Sequence, residues 1–134
     1  MTPIKKLLIV DDDEVYTYIT KRIIEQSNLA SQIKIFKNGK EAIDFIEETK
    51  GEIELLPDVI LLDLSMPILD GWGFLEEYIL LKPYFGKKIT LYIVSSSISP
   101  SDYQRAKEYS DVSDFIIKPI TTEKFIYLIK NLPV

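Results

Sequence analysis

The segment Val59-Ile60-Leu61-Leu62-Asp63-Leu64-Ser65-Met66-Pro67-Ile68-Leu69-Asp70-Gly71 constrains this chain more than any other. Its apolar opening is short enough for a strand and uninterrupted enough to be buried on both faces. The run ends on a carboxylate, Asp63, where a strand emerges into a loop. Pro67 and the Asp70-Gly71 pair then stop the strand and set up a helix. In an open parallel sheet, ligands and chemistry sit at the carboxyl ends of the strands. An acid at the end of a central, buried strand is therefore placed for work.

Two missing residue types narrow that work. The 134-residue chain contains neither histidine nor cysteine. Ser-His-Asp and Cys-His catalysis and the usual zinc sites are excluded, as is a role as histidine phosphodonor. What remains is carboxylate, lysine, hydroxyl and oxygen-bound metal chemistry. The length predicts one domain with its own core. An apolar fraction of 46% with 28% charged residues is ordinary for a soluble globular domain. No apolar run approaches the roughly 18–20 residues of a membrane span, and no signal-peptide pattern opens the chain. The lack of cysteine fits the cytoplasm. A formal net charge of −5 argues against a nucleic-acid surface.

Taken in order, the chain alternates between strand and helix patterns. Lys5 to Val10 predicts a first strand ending in Asp11-Asp12-Asp13-Glu14. The acids open a helix whose apolar stripe is read as Val15, Ile19 and Ile23, with Tyr18 alongside. Acids at a helix start cap orphan amides and suit the dipole. Capping needs one or two, however, and four in a row repel; Asp13 and Glu14 are assigned to the helix start. Ile33 to Phe36 is a second strand, and Asn38-Gly39-Lys40-Glu41 has the form of a capping box before an inner stripe of Ala42, Ile43 and Ile46. A loop over 51–57 leads to the third strand, 58–63, with Asp58 at the end remote from the site. Asp70 caps a third helix whose inner face is Phe74, Leu75, Tyr78 and Ile79; Trp72 reads equally as a core anchor or a partly exposed reporter. Ile89 to Ser95 is a fourth strand, and Ser99-Pro100-Ser101-Asp102 starts a helix. Asp114 to Lys118 is a fifth strand stopped by Pro119, and Thr121 opens a last helix over 122–131. Five βα units favour a parallel sheet covered by helices on both sides.

One common order for such a sheet, 2-1-3-4-5, makes strands 1, 3, 4 and 5 consecutive neighbours. Their carboxyl ends then bring together Asp11, Asp12, Asp63, Ser95 and Lys118. Carboxylates packed closely raise one another's pKa unless a cation intervenes. With oxygen ligands alone, the fitting ion is Mg²⁺, or Mn²⁺ as a substitute. Such a site suits transfer of a phosphoryl group onto a carboxylate, where positioning and charge neutralisation carry most of the catalysis. Asp63, on the central strand, is the best nucleophile.

The chain resembles the receiver domain of two-component response regulators along essentially its whole length. The matching pieces are Leu8-Ile9-Val10-Asp11-Asp12, Asp63-Leu64-Ser65-Met66-Pro67, Asp70-Gly71, Val94-Ser95-Ser96 and Phe115-Ile116-Ile117-Lys118-Pro119, in order and suitably separated. The resemblance, rather than the spacing, supplies the sheet order and implies a doubly wound, flavodoxin-like (βα)5 fold. It implies Asp63 as phosphoacceptor. Asp12 would bind Mg²⁺ directly and Asp11 largely through water, with Asp63 and the backbone carbonyl of Ser65 as further ligands. Ser95 would be the switch hydroxyl, Lys118 the contact to a phosphoryl oxygen, and Phe115 the switch aromatic. Phe115 lacks the phenolic hydroxyl that the family often carries there. The Lys118-Pro119 bond is expected to be cis. Ser65 and Ser97, small and polar at the positions that tune hydrolysis in the family, imply a phosphoryl lifetime that is not unusually long.

The resemblance further implies a cytoplasmic signalling phosphoacceptor, not an enzyme in the usual sense, with self-phosphorylation from donors and slow autodephosphorylation. Its partners would be a histidine kinase or histidine phosphotransfer protein and a downstream protein target. The expected organisation is a single receiver domain over 1–134 without an output domain, so the product is a protein contact or a relayed phosphoryl group. The last helix, with Phe125-Ile126-Tyr127-Leu128-Ile129, is apolar on more than one face. The surface of helix 4, strand 5 and helix 5 is therefore the expected docking face for a partner or second copy, with Tyr127 and Leu128 on it. Two other classes stay open. A pseudo-receiver would keep the fold without phosphate, yet has no need of clustered acids. A haloacid-dehalogenase-like phosphohydrolase wants a second Asp two residues after the first, where this chain has Ser65.

Overall fold

A computed structural model describes residues 4–96 and 99–132. The strands are β1 (Ile4–Val10), β2 (Ala30–Phe36), β3 (Val59–Leu62), β4 (Thr90–Ser95) and β5 (Val112–Ile117). The helices are α1 (Glu14–Ser27), α2 (Gly39–Thr49), α3 (Gly71–Leu81), α4 (Pro100–Lys107) and α5 (Thr122–Lys130), with a 3₁₀ turn at Lys82–Tyr84. All strands run parallel in the order β2-β1-β3-β4-β5. The fold is thus a doubly wound, flavodoxin-like five-stranded sheet. Among the described residues, no helix is long and apolar enough to cross a membrane.

The central strand explains the layering. Side chains alternate along a strand, so Ile60 and Leu62 face one layer and Val59 and Leu61 the other. The first pair packs with Ala42, Ile43 and Ile46 of α2, Phe74, Leu75 and Tyr78 of α3, and Ala106 of α4. The second packs with Ile24 of α1 and Phe125, Leu128 and Ile129 of α5. Each helix begins where a side-chain oxygen takes the amide of the residue three further on: Asp13 from Tyr16, Asn38 from Glu41, Asp70 from Gly73, Ser99 from Asp102, and Thr121 from Lys124.

Register sets the site. Val10 stands opposite Leu62, and Leu62 opposite Ile93. The next residues on the first two strands are Asp11 and Asp63, so the buried pairing delivers both acids to the same edge. Two glycines hold the loop beyond β3. A Cβ on Gly71 would lie 2.6 Å from the Asp63 carbonyl oxygen, and one on Gly39 would lie 2.4 Å from that of Leu69. Their amides donate to the Leu64 and Leu69 carbonyls at 2.9 and 3.1 Å. Between them, Ile68 adopts φ 69°, and the Leu69 amide reaches back to the Pro67 carbonyl at 2.7 Å in a γ-turn.

Three expectations change. The apolar stripe of α1 points outward: Val15, Tyr18 and Ile19 are exposed, and Thr17, Thr20 and Ile24 face the sheet. Thr17 tolerates burial because its hydroxyl donates to the Glu14 carbonyl at 3.2 Å. Leu128 is core, 4% exposed against 59% for Tyr127, so only Tyr127 of the pair expected on a docking face is exposed. An α5 that must cover the second apolar layer turns Phe125, Leu128 and Ile129 inward together. The edge strands β2 and β5 start earlier than their apolar cores indicate, at Ala30 and Val112, through exposed polar residues.

Candidate functional site

At the carboxyl ends of β1 and β3, carboxylate oxygens of Asp11, Asp12 and Asp63 lie within 4.8 Å of one another. Asp11 and Asp63 are buried and Asp12 is exposed. Asp11 Oδ1 accepts the Asp13 amide at 3.0 Å, which bends the chain from β1 into α1, while Oδ2 meets Lys118 Nζ at 2.7 Å. The same ammonium lies 3.7 Å from Asp63 Oδ1 and 4.4 Å from the centre of the Tyr16 ring. Lys118 arrives from the end of β5 through its amide, which donates to the Ser95 carbonyl at 2.8 Å, and the following peptide bond to Pro119 is cis, as expected.

Burial is the main force on Asp63. Together with the nearby Asp11 charge it pushes the carboxyl up to about 6, against the pull of the Lys118 charge and the Ser65 amide, which donates to the carboxylate. Burial alone would lower Lys118, but its hydrogen bond to Asp11 and the charges of Asp11 and Asp63 hold it above the usual lysine range. A carboxylate that is hard to ionise beside two further acids is a site short of positive charge. Three hard oxygen donors on two rigid strand ends fit a divalent cation of the Mg²⁺ or Mn²⁺ type. The acid cluster can thus hold a metal ion.

The other predicted residues have separate surroundings. Ser95 closes β4 and is buried. Ser65 lies exposed two residues beyond Asp63. Phe115, half-buried on β5, packs at the margin of the α2–α3–α4 core with its ring 6.3 Å from that of Tyr103. Ser97 lies outside the described residues. Asp13 and Glu14 serve the helix start as predicted: Asp13 caps α1, and Glu14 pairs with Lys37 on the surface at 2.5 Å. Trp72 is half-buried, stacked on Tyr109 at 5.9 Å and covered by Arg105 at 4.4 Å. Asp58, at the opposite end, is a structural clamp. It accepts the Lys5 and Lys6 amides at 2.9 and 3.1 Å and pairs with Lys87 at 2.6 Å. Sequence reasoning passed over Tyr16, whose signal was an aromatic residue in the helical turn that follows the acid run.

The comparisons with known proteins agree with this geometry. Residues 7–130 match the family model described as the response regulator receiver domain. The chain is 29% identical over 118 residues to the "Probable methanogenesis regulatory protein FilR2" of Methanothrix harundinacea, covering 87% of this chain and 74% of that protein. It is 30% identical over 116 residues to a protein-glutamate methylesterase/protein-glutamine glutaminase of Carboxydothermus hydrogenoformans, but spans only 29% of that longer protein. The response regulator receiver protein of Dyadobacter fermentans superposes with a TM-score of 0.81 at 28% identity, covering 94% of this chain and 95% of that one. With the match to the family model extending from β1 to the end of α5, and the acids, the hydroxyl and the lysine at the carboxyl ends of its strands, the chain belongs to the response regulator receiver domain family.

Proposed function

We propose that this protein is a phosphoacceptor of a His-Asp phosphorelay, acting as a single receiver domain in the cytoplasm. The observation that carries the reading is Asp63: a buried carboxyl at the end of the central strand, within 4.8 Å of the Asp11 and Asp12 oxygens and 3.7 Å from Lys118 Nζ. An Asp63 oxygen attacks the donor phosphorus. The new O–P bond forms as the donor's P–N bond breaks for a phosphohistidine, or its P–O bond for an acyl phosphate, and the imidazole or carboxylate leaves. Asp11, Asp12, Asp63 and the Ser65 carbonyl would hold Mg²⁺, which supplies charge neutralisation for the incoming phosphoryl oxygens. Lys118 neutralises a further phosphoryl oxygen, and Ser95 is the hydroxyl that turns toward the new group. Phe115 follows it inward, altering the α4–β5–α5 surface. The donor would be a histidine kinase or histidine phosphotransfer protein. The altered face, with Tyr103, Ile117 and Tyr127 exposed, would meet a protein target or second copy.

Intact mass after incubation with acetyl phosphate and Mg²⁺ tests this. The expected result is gain of one hydroxylamine-labile phosphoryl group, dependent on Mg²⁺ and absent from Asp63→Asn. No gain, together with failure to bind beryllofluoride, would refute it in favour of a pseudo-receiver.

A further inference from the structure

We infer that Tyr16 is a positioning residue for Lys118, an assignment that rests on the phosphoacceptor reading and concerns how the ammonium is kept in place while its carboxylate partners change. Among the described residues the ammonium meets Asp11 Oδ2 at 2.7 Å, Asp63 Oδ1 at 3.7 Å, and the Tyr16 ring at 4.4 Å from its centre. The first two are the groups that a metal ion and a phosphoryl group would engage. Once they do, the ring is the neighbour that has not changed.

An aromatic face attracts a cation through its quadrupole, without net charge and without a proton acceptor on the ring. It can therefore hold an ammonium without competing with the phosphoryl oxygen for it. The helix start fixes the ring, since the Tyr16 amide donates to the capping Asp13 at 3.0 Å. The ring also packs on the α1–α5 core layer. The Tyr16 hydroxyl is buried, with the Thr20 side chain and the Ile120 backbone as its polar neighbours. The part of the side chain that meets the ammonium is the ring.

The experiment follows acetyl phosphate labelling of the full chain with Mg²⁺, by intact mass over time, in wild type, Tyr16→Phe and Tyr16→Leu. Tyr16→Phe should label within about twofold of wild type, and Tyr16→Leu about fivefold to thirtyfold more slowly, the range of a partly to fully desolvated cation–π contact. In a Lys118→Met background the two variants should share one residual rate, because no ammonium remains to be oriented. A general loss of packing would slow Tyr16→Leu in that background too, and would overturn the assignment. So would an unchanged rate in folded Tyr16→Leu, or a slow Tyr16→Phe. Tyr16→Met replaces Tyr16→Leu should the latter not fold. The Lys118 ε-methylene proton resonances read the contact without any phosphoryl transfer. They should lie upfield in wild type and Tyr16→Phe and move downfield in Tyr16→Leu. If wild type neither labels nor binds beryllofluoride, the phosphoacceptor reading fails while this spectrum still reports on the ring.

Discussion

Lys118 is bound to Asp11 more closely than to Asp63, at 2.7 against 3.7 Å, although burial and the Asp11 charge hold Asp63 above the usual carboxylate range. Both partners of the close pair are nearly buried, with side chains 12% and 3% exposed. Removing one member of a buried ion pair strands the other. Lys118→Met should therefore destabilise the metal-free protein by about 3–5 kcal/mol. Saturating Mg²⁺ should restore a large part of that, because a divalent cation on the acids replaces the lost charge. Urea unfolding with and without Mg²⁺ reads both effects.

The two aspartates that flank β3 should respond to pH with opposite sign. Asp63 is raised from 3.8 to about 6, so the folded state binds its proton more tightly than the unfolded chain does. Its charge costs stability progressively as pH rises through that window. Without divalent cations, Asp63→Asn should stabilise by about 1–3 kcal/mol at pH 7, from about 1.4 kcal/mol per unit, and by little below pH about 4. Asp58 is the reverse case. Burial would raise it, but the Lys87 hydrogen bond and the Lys6 and Lys5 amides outweigh that and hold it below its usual value. Asp58→Ala should destabilise by about 1.5–3 kcal/mol at neutral pH, and the difference should fade as acid protonates Asp58 in the wild type. Denaturation midpoints across pH 3–8, roughly the range spanned by carboxylate titration, check both slopes.

Ile68 is a β-branched residue held at φ 69° while 80% exposed. A left-handed conformation costs such a residue about 1–2 kcal/mol, and exposure means that little burial offsets it. Ile68→Asn should raise stability by about 1 kcal/mol, measured as a shift in the unfolding midpoint. A loss instead would mean that the side chain makes a contact worth more than the turn's strain.

Trp72, the one tryptophan of the chain, joins α3 to the end of α4 through Arg105 and Tyr109, and the Tyr109 hydroxyl donates to Glu76 at 2.5 Å. Helix α4 has one buried residue, Ala106, so this outer stack supplies much of its attachment. Arg105→Ala should shift Trp72 emission to longer wavelength and increase its quenching by iodide, while costing about 0.5–1 kcal/mol in stability. Fluorescence of the two proteins under identical conditions decides it.

Much of this site could be read from the chain because its parts sit where patterns change. Asp11, Asp63, Ser95 and Lys118 each end an apolar run, and each is found at the carboxyl edge of the sheet. The caps Asn38, Asp70, Ser99 and Thr121 were legible for the same reason. The inward face of α1 was not. Thr17, Thr20 and Ile24 keep helical spacing as well as Val15 and Ile19 do, and hydropathy favours the wrong set. Burial of a threonine depends on a hydroxyl bonded within its own helix, which no periodicity reveals. The Asp58 clamp escaped similarly: its partners, the Lys5 and Lys6 amides and Lys87, are brought together only by the strand order.

The loop after Asp63 is held from two sides by main chain against main chain, at Gly39 and Gly71, where a single methyl would strike a carbonyl oxygen. The geometry of that loop is thus written largely outside it. In a saturation library, the exposed positions 65, 67 and 68 should accept wide changes in side chain while the acids stay in place, whereas alanine at either glycine should displace the loop and the acids together. Screening for altered donor preference or phosphoryl lifetime can concentrate on the tolerant stretch, with the two glycines left as the fixed walls of the mould.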